Sequence, residues 1–195
     1  MITFDPSPNY SSRGPNPPQF VIIHATAGTF EGTIATFKNK YSRVSAHFVI
    51  DRDGAIVQMV DIKDAAWAAM HWPNMVGLQI EHVDRYMVGG QLTRGCMGDP
   101  QWFTHEQLNA SADLVAQLMQ EFKIPIEKVI GHNDPWLRQF GNNHQDPGPY
   151  WPWHNYKLLL MQRLQSQPIL ESAPVQEAAE QAPEPVDKPR PGRRK

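Results

Sequence analysis

Three side chains in this sequence are of types that together can hold a metal ion and leave it open to water. His24 follows the apolar run Phe20-Val21-Ile22-Ile23, His132 follows Val129-Ile130-Gly131, and Asp146 opens the turn-rich stretch Asp146-Pro147-Gly148-Pro149. Two imidazoles and a carboxylate are a donor set for Zn2+ with a fourth position free for water or substrate, and the ends of adjacent strands hold such ligands rigidly. Spacing along the chain does not bring the three together, and a single histidine at a strand end is more often a structural group than a ligand.

The elements that must position these groups follow from periodicity and turn chemistry. Residues 6–19 are rich in Pro, Ser, Asn and Gly and read as an extended lead-in. Phe20–Ile23, apolar at successive positions, reads as a strand buried on both faces. Phe30–Lys40 reads as a helix. Ala46–Ile50 and Ala55–Val60 read as strands joined by Asp51-Arg52-Asp53-Gly54, where Asp-Gly supplies the positive φ of a hairpin turn. Val76–Val83 reads as a further strand, and residues 88–100, with four glycines, as a loop. Thr104-His105-Glu106-Gln107 fits a capping box, in which Gln107 reaches back to the capping residue. Leu108, Ser111, Ala112, Val115, Leu118, Met119 and Phe122 then form one helical face that Pro125 stops from continuing smoothly. Tyr156–Leu164 reads as a last helix. From about Pro168 the chain turns to Pro and Glu with a basic end at Arg190, Arg193, Arg194 and Lys195, a composition with too little apolar surface to offset ordering entropy.

Composition narrows the function classes. The 195 residues suggest one domain, and 41% hydrophobic residues with six tryptophans suffice for a core. A net charge of −2 gives no electrostatic footprint for nucleic acid. Cys96 is the single cysteine, so an intrachain disulfide is excluded. Met1–Tyr10 lacks the basic and apolar regions of a signal peptide, and no apolar run reaches the roughly 18–20 residues of a membrane span. The expectation is a protein held in the cytoplasm until release if it acts on a cell wall.

Several stretches, in order, resemble the type 2 N-acetylmuramoyl-L-alanine amidase family, which includes phage lysins and is related to the peptidoglycan recognition proteins. Ile22-Ile23-His24-Ala25-Thr26-Ala27-Gly28 resembles its opening motif, and Val44-Ser45-Ala46-His47-Phe48-Val49-Ile50-Asp51-Arg52-Asp53-Gly54 its central hairpin. Gly131-His132-Asn133-Asp134 and His144-Gln145-Asp146-Pro147-Gly148-Pro149-Tyr150-Trp151-Pro152-Trp153 resemble its C-terminal zinc motifs, so the likeness spans roughly residues 6–165. The resemblance implies zinc on His24, His132 and Asp146. It also implies a glutamate general base on the strand Val76-Gly77-Leu78-Gln79-Ile80-Glu81-His82-Val83. Matching the family's Ile-Glu-His pattern places that base at Glu81, whereas matching the Val-Gly pair places it at Gln79, which cannot take a proton. Glu81 fits both motif and chemistry. Many members carry a lysine two residues before the aspartate, as oxyanion partner; here His144 stands there, which implies a more pH-sensitive activity than lysine would give. The family's histidine after the tryptophan of Ala65-Ala66-Trp67-Ala68-Ala69 is absent, its place taken by Ala68, and His71 lies nearby.

These readings converge on one α/β domain, a central mixed β-sheet of five or six strands flanked by helices, with the zinc site at strand ends. The divisions expected are a lead-in over 1–19, the catalytic domain over 20–166 and a disordered tail over 167–195. The function implied is hydrolysis of the bond between N-acetylmuramic acid and L-alanine in peptidoglycan, as a lysin. The alternatives are a cytoplasmic amidase that recycles muropeptides and a peptidoglycan-binding module without catalysis. Trp67, Trp72 and His47 are candidate substrate contacts, while His47 and His82, being within strands, suit hydrogen-bonded structural or pocket-wall roles better than that of a ligand. Trp72 and Trp136 divide evenly between glycan stacking and core, and for Trp153 core packing is favoured over stacking. Asp134 forms a turn or steadies His132. A monomer is expected.

Overall fold

The side-chain period of Phe20–Ala25 (β3) is that of a central strand, and Val21, Ile22 and Ile23 have no exposed surface. Each such aliphatic side chain contributes about 1.5–3 kcal/mol by leaving water. The computed structural model describes residues 1–84 and 102–166. Both the glycine-bearing loop at 88–100 and the tail at 167–195 lie outside the described residues.

Before β3 come Ile2–Phe4 (β1) and Tyr10–Ser12 (β2), and after it Phe30–Lys38 (α1). Phe48–Ile50 (β4) and Ile56–Gln58 (β5) follow, then Asp64–Ala66 (β6), His71–Val76 (α2) and Gly77–His82 (β7). His105–Phe122 (α3), Val129–Gly131 (β8), Pro135–Arg138 (α4) and Trp153–Ser166 (α5) follow among the described residues. Six strands form one sheet in the order β1-β5-β4-β7-β3-β8, and β2 pairs with β6 separately. Only β4–β5 is antiparallel within the main sheet, so it is mixed as expected. The hairpin turn carries Gly54 at φ 88°, the conformation for which Asp-Gly was read.

Alternation along the strands assigns the two faces. Val21, Ile23, Leu78, Ile80, Phe48 and Ile50 pack beneath α3 and α5. The other face carries two smaller clusters, one of Phe20, Ile22, Val76 and Leu137 and one of Phe37, Val49 and Met59. The gap between these clusters is where the polar residues of β3 and β7 lie.

Residues 1–19 are extended, and they also pair. β1 is an edge strand of the main sheet beside β5, and Arg13 is 2% exposed. Its guanidinium donates to the carbonyls of Ile62, Met75 and Asp64 at 2.7–3.1 Å. The lead-in is thereby fastened to β6, to the turn before it and to α2. Thr104 caps α3, accepting from the Gln107 N–H at 3.2 Å. The reciprocal half of the capping box is not formed. Gln107 Nε2 donates instead to the carbonyls of Ile50 and Val83, both at 2.9 Å. Those carbonyls lie just where β4 and β7 end, and the Ile50 carbonyl also accepts from the Val83 N–H at 3.0 Å, so the Gln107 amide joins α3 to both strand ends in place of the local motif.

A buried chain of hydrogen bonds crosses from α5 to the sheet. Tyr156 Oη lies 2.6 Å from Ser111 Oγ, which lies 2.8 Å from His82 Nε2, and His82 Nδ1 donates to the His24 carbonyl at 3.2 Å. Burial pushes the His82 imidazole down to about 3. Burial, with the Arg13 charge, does the same to His47, also to about 3. A histidine whose folded pKa lies below its unfolded value lets the unfolded chain take the proton first. Stability from it is whole above the unfolded pKa of about 6.5 and falls as pH drops from there towards the folded value. We predict that metal-free protein loses stability from pH 6.5 to pH 5, each ring contributing up to about 1.4 kcal/mol per pH unit, with the Glu81 carboxyl, raised by burial to about 7, offsetting one such contribution. Urea denaturation across that range checks it, and a His82→Gln slope as steep as wild type would remove His82 from the account.

Candidate metal centre and active site

Strand register brings the chemistry together. His24 pairs with Glu81 across β3 and β7, and the His132 N–H donates to the Ile23 carbonyl at 3.0 Å just beyond β8. His132, His24 and Glu81 therefore stand side by side on the face opposite α3 and α5. Gln79 shares that face one pair deeper, level with Ile22 and His47.

Asp146 closes the group from the loop after α4. Its Oδ2 is 3.1 Å from His24 Nδ1, and its Oδ1 is 3.1 Å from His132 Nδ1. The Asn133 N–H donates to the Asp146 carbonyl at 2.8 Å, and the Asn142 amide donates to the His132 carbonyl. Both bonds tie the loop to the end of β8. Gly131 permits the approach. A Cβ there would lie 2.6 Å from Asn133 Oδ1, 2.8 Å from Pro147 Cδ and 3.1 Å from Trp153 Cζ2. Gly131→Ala is expected to push the Asp146 loop off the sheet, at about 1–3 kcal/mol of overpacking. The urea midpoint measures it, and a midpoint unchanged from wild type would show that the loop yields freely.

One ligand atom from each of His24, His132 and Asp146 lies within 4.8 Å of the other two. His24 and His132 are buried, at 2% exposure each, while Asp146 is partly exposed. The electrostatics favour a positive charge at this point. Burial opposes the His24 imidazolium, but the hydrogen bond to Asp146 and the charges of Glu81 and Asp146 outweigh it and raise the ring to about 9. Burial likewise opposes the Asp146 carboxylate, yet hydrogen bonds from His132 and His24 and their charge hold it far below the usual carboxylate range. Burial pushes His132 down. A convergent nitrogen–nitrogen–oxygen set in a cation-favouring pocket fits a zinc ion.

Glu81 has a buried oxygen, Oε2, with no hydrogen-bond partner among the described residues. Burial raises its carboxyl to about 7, with His24 opposing and Asp146 and Asp84 adding to the rise. A carboxylate near neutrality, unspent on the fold, is suited to move protons. Gln79 is differently placed, fully buried with its amide bonded to His24 and to the Pro73 carbonyl. His144 is exposed at the mouth, its ring stacked on His132 with centroids 4.4 Å apart and its Nδ1 3.6 Å from Asp146 Oδ1.

The other residues singled out in the sequence divide. His47 has no exposed surface, its Nδ1 accepts the Gln79 N–H at 2.9 Å, and its Nε2 lies 2.9 Å from Arg13 Nη2. It lies buried beneath Gln79, in the hydrogen-bonded structural role that its place within a strand suits. Trp72 is 45% exposed, and Trp67 is half-buried with its indole N–H on Ser11 Oγ at 3.2 Å. Trp136 stacks on Phe20 at 4.3 Å and Trp153 packs against the main core, so both serve packing. Asp134 caps α4, accepting from the Trp136 N–H at 2.8 Å. His132 Nε2 has no partner among the described residues. Sequence reasoning missed Arg13 and Asn142, whose isolated polar positions carry no periodic signal.

The sequence model of the N-acetylmuramoyl-L-alanine amidase family matches residues 14–149. N-acetylmuramoyl-L-alanine amidase A of Achromobacter lyticus is 30% identical over 162 residues, covering 79% of this chain and 89% of that protein. The 1,6-anhydro-N-acetylmuramyl-L-alanine amidase AmpD of Haemophilus influenzae is 33% identical over 115 residues, 58% of this chain and 57% of its own length. Among solved structures, the Staphylococcus aureus hydrolase AmiA in complex with its ligand superposes with a TM-score of 0.63 at 22% identity, over 84% of this chain and 83% of that one. That likeness speaks for the fold. With a family match over most of the chain and three residues that could hold a metal ion converging at the strand ends, the chain belongs to the type 2 N-acetylmuramoyl-L-alanine amidase family.

Proposed function

We propose that this protein hydrolyses the amide bond between the lactyl group of N-acetylmuramic acid and the first L-alanine of the stem peptide in peptidoglycan, as a lytic amidase. One observation carries the mechanism: His24, His132 and Asp146 converge beside a buried glutamate oxygen that has no hydrogen-bond partner among the described residues. Zinc, which His24, His132 and Asp146 would hold, would supply Lewis acidity toward the amide carbonyl and a lowered pKa for water. Glu81 takes the proton of the attacking water as the new carbon–oxygen bond forms. It then delivers that proton to the alanine nitrogen as the carbon–nitrogen bond breaks, leaving a lactyl carboxylate and a free L-alanine amino terminus. His144, at the mouth, donates a hydrogen bond to the carbonyl oxygen as charge develops there. Trp72 and Trp67, on the exposed rim of the α2 region, offer faces on which sugar or stem peptide can lie.

Appearance of new L-alanine amino termini is the assay. Purified peptidoglycan and soluble anhydro-muropeptides are digested side by side, with untreated, chelated and zinc-restored protein. Release from intact wall that chelator stops and zinc restores supports the lytic reading. Release from soluble fragments alone transfers the activity to muropeptide recycling. No release from either substrate by zinc-loaded protein would leave a wall-binding module. No helix among the described residues is long and apolar enough to cross a membrane. His144→Ala is expected to reduce turnover by about 10²-fold, at the lower end for a lost oxyanion donor, with KM little changed. Wild-type turnover in that variant would place the oxyanion elsewhere.

A further inference from the structure

We propose that Gln79 is a positioning residue: its side-chain carbonyl keeps the proton of His24 on Nε2, so that Nδ1 is the atom offered to the metal. The inference rests on the metal-site reading above and concerns what prepares it. Gln79 Oε1 lies 2.8 Å from His24 Nε2. The amide has one orientation, because its Nε2 lies 3.2 Å from the Pro73 carbonyl, which can only accept. Oε1 therefore faces His24, and an acceptor there requires hydrogen on His24 Nε2. A ligating histidine is neutral, so its Nδ1 then carries a lone pair, and Nδ1 is the atom that points to Asp146, at 3.1 Å.

The surrounding chain is arranged to keep that amide in place. Gly77, two residues before on the same strand face, has no side chain, and a Cβ there would lie 2.9 Å from Gln79 Nε2 and 2.7 Å from the Pro73 carbonyl. The Gln79 backbone N–H is held by His47 Nδ1 at 2.9 Å, and Arg13 lies against the far side of that ring. Arg13, His47 and Gln79 thus form a buried column under His24. This accounts for an amide at residue 79. A carboxylate could accept from His24 but has no hydrogen for the Pro73 carbonyl.

The test compares wild type, Gln79→Leu and Gln79→Glu for zinc affinity, by competition with a chromophoric chelator. Partners that orient a metal-bound histidine are worth about 10- to 100-fold in affinity. Gln79→Leu is expected to lose that much, whereas Gln79→Glu, which keeps an acceptor, stays within a few-fold of wild type. Nitrogen NMR of zinc-loaded wild type, labelled at histidine, should show the His24 hydrogen on Nε2. Zinc bound through His24 Nε2, or equal affinity for wild type and Gln79→Leu, would overturn the role of Gln79. Failure of wild type to bind zinc would instead overturn the metal site. If Gln79→Leu does not fold, the NMR assignment in wild type decides alone.

Discussion

Glu81→Gln is expected to lower the turnover of amide hydrolysis by about 10²- to 10⁴-fold, the range a positioned general base supplies. Zinc uptake should be unchanged, since Glu81 is not among the three convergent ligands. The substitution is nearly isosteric, so β7 should keep its pairing with β3 and β4. It replaces a buried oxygen that has no hydrogen-bond partner among the described residues, and an amide cannot accept the proton that the attacking water must lose. A pH signature accompanies the loss. Burial holds the metal-free carboxyl up at about 7, and a nearby dication favours the charged form. The base works deprotonated, so the rate falls as pH drops, with a limb below about 7 that the variant lacks. Stopped release of L-alanine termini with full zinc content is the expected pair of readings. Wild-type turnover in Glu81→Gln would move the base to another group.

Asp146→Ala should abolish zinc binding and activity together. The carboxylate lies 3.1 Å from the Nδ1 atoms of both histidines, so its loss removes one ligand and the charge that offsets the positive ion. In wild type, zinc at 100 times its dissociation constant adds about 2.7 kcal/mol to stability through mass action. The expected result is a zinc-dependent rise in melting temperature for wild type and none for Asp146→Ala. A rise of equal size in both would show that zinc binds elsewhere on the chain.

Much of this was legible before folding, for local reasons. Asp53-Gly54 marks its hairpin because only a positive φ closes that turn, and Thr104 marks the start of α3 because its hydroxyl can satisfy an orphan N–H. The apolar run before His24 announces a central strand by its lack of a wet face. The types of His24, His132 and Asp146 allowed a metal site, and only the resemblance to the amidase family grouped them as its ligands. Other elements had no such local signature. β1 and β2 are three residues each and exposed, so they are strands only because β5 and β6 are there to pair with them. Gln107 fits a capping box by sequence, yet its amide goes to the carbonyls of Ile50 and Val83, which are distant in the chain.

The division between Gln79 and Glu81 shows where local information ends. Period-two geometry puts both on one face from sequence alone, and their side-chain chemistry says which of them can take a proton. Neither fact says which stands next to His24. That depends on the offset between β3 and β7, a property of two strands more than 50 residues apart. Pairing His24 with Glu81 sets the carboxylate beside the His24, His132 and Asp146 cluster and sends Gln79 beneath it, against His47 and Pro73. Residue types and their local periodicity determine which groups exist and which way they face. Distance between groups is set by strand register and by a loop folding back, because those are fixed by long-range packing that no short stretch of sequence contains.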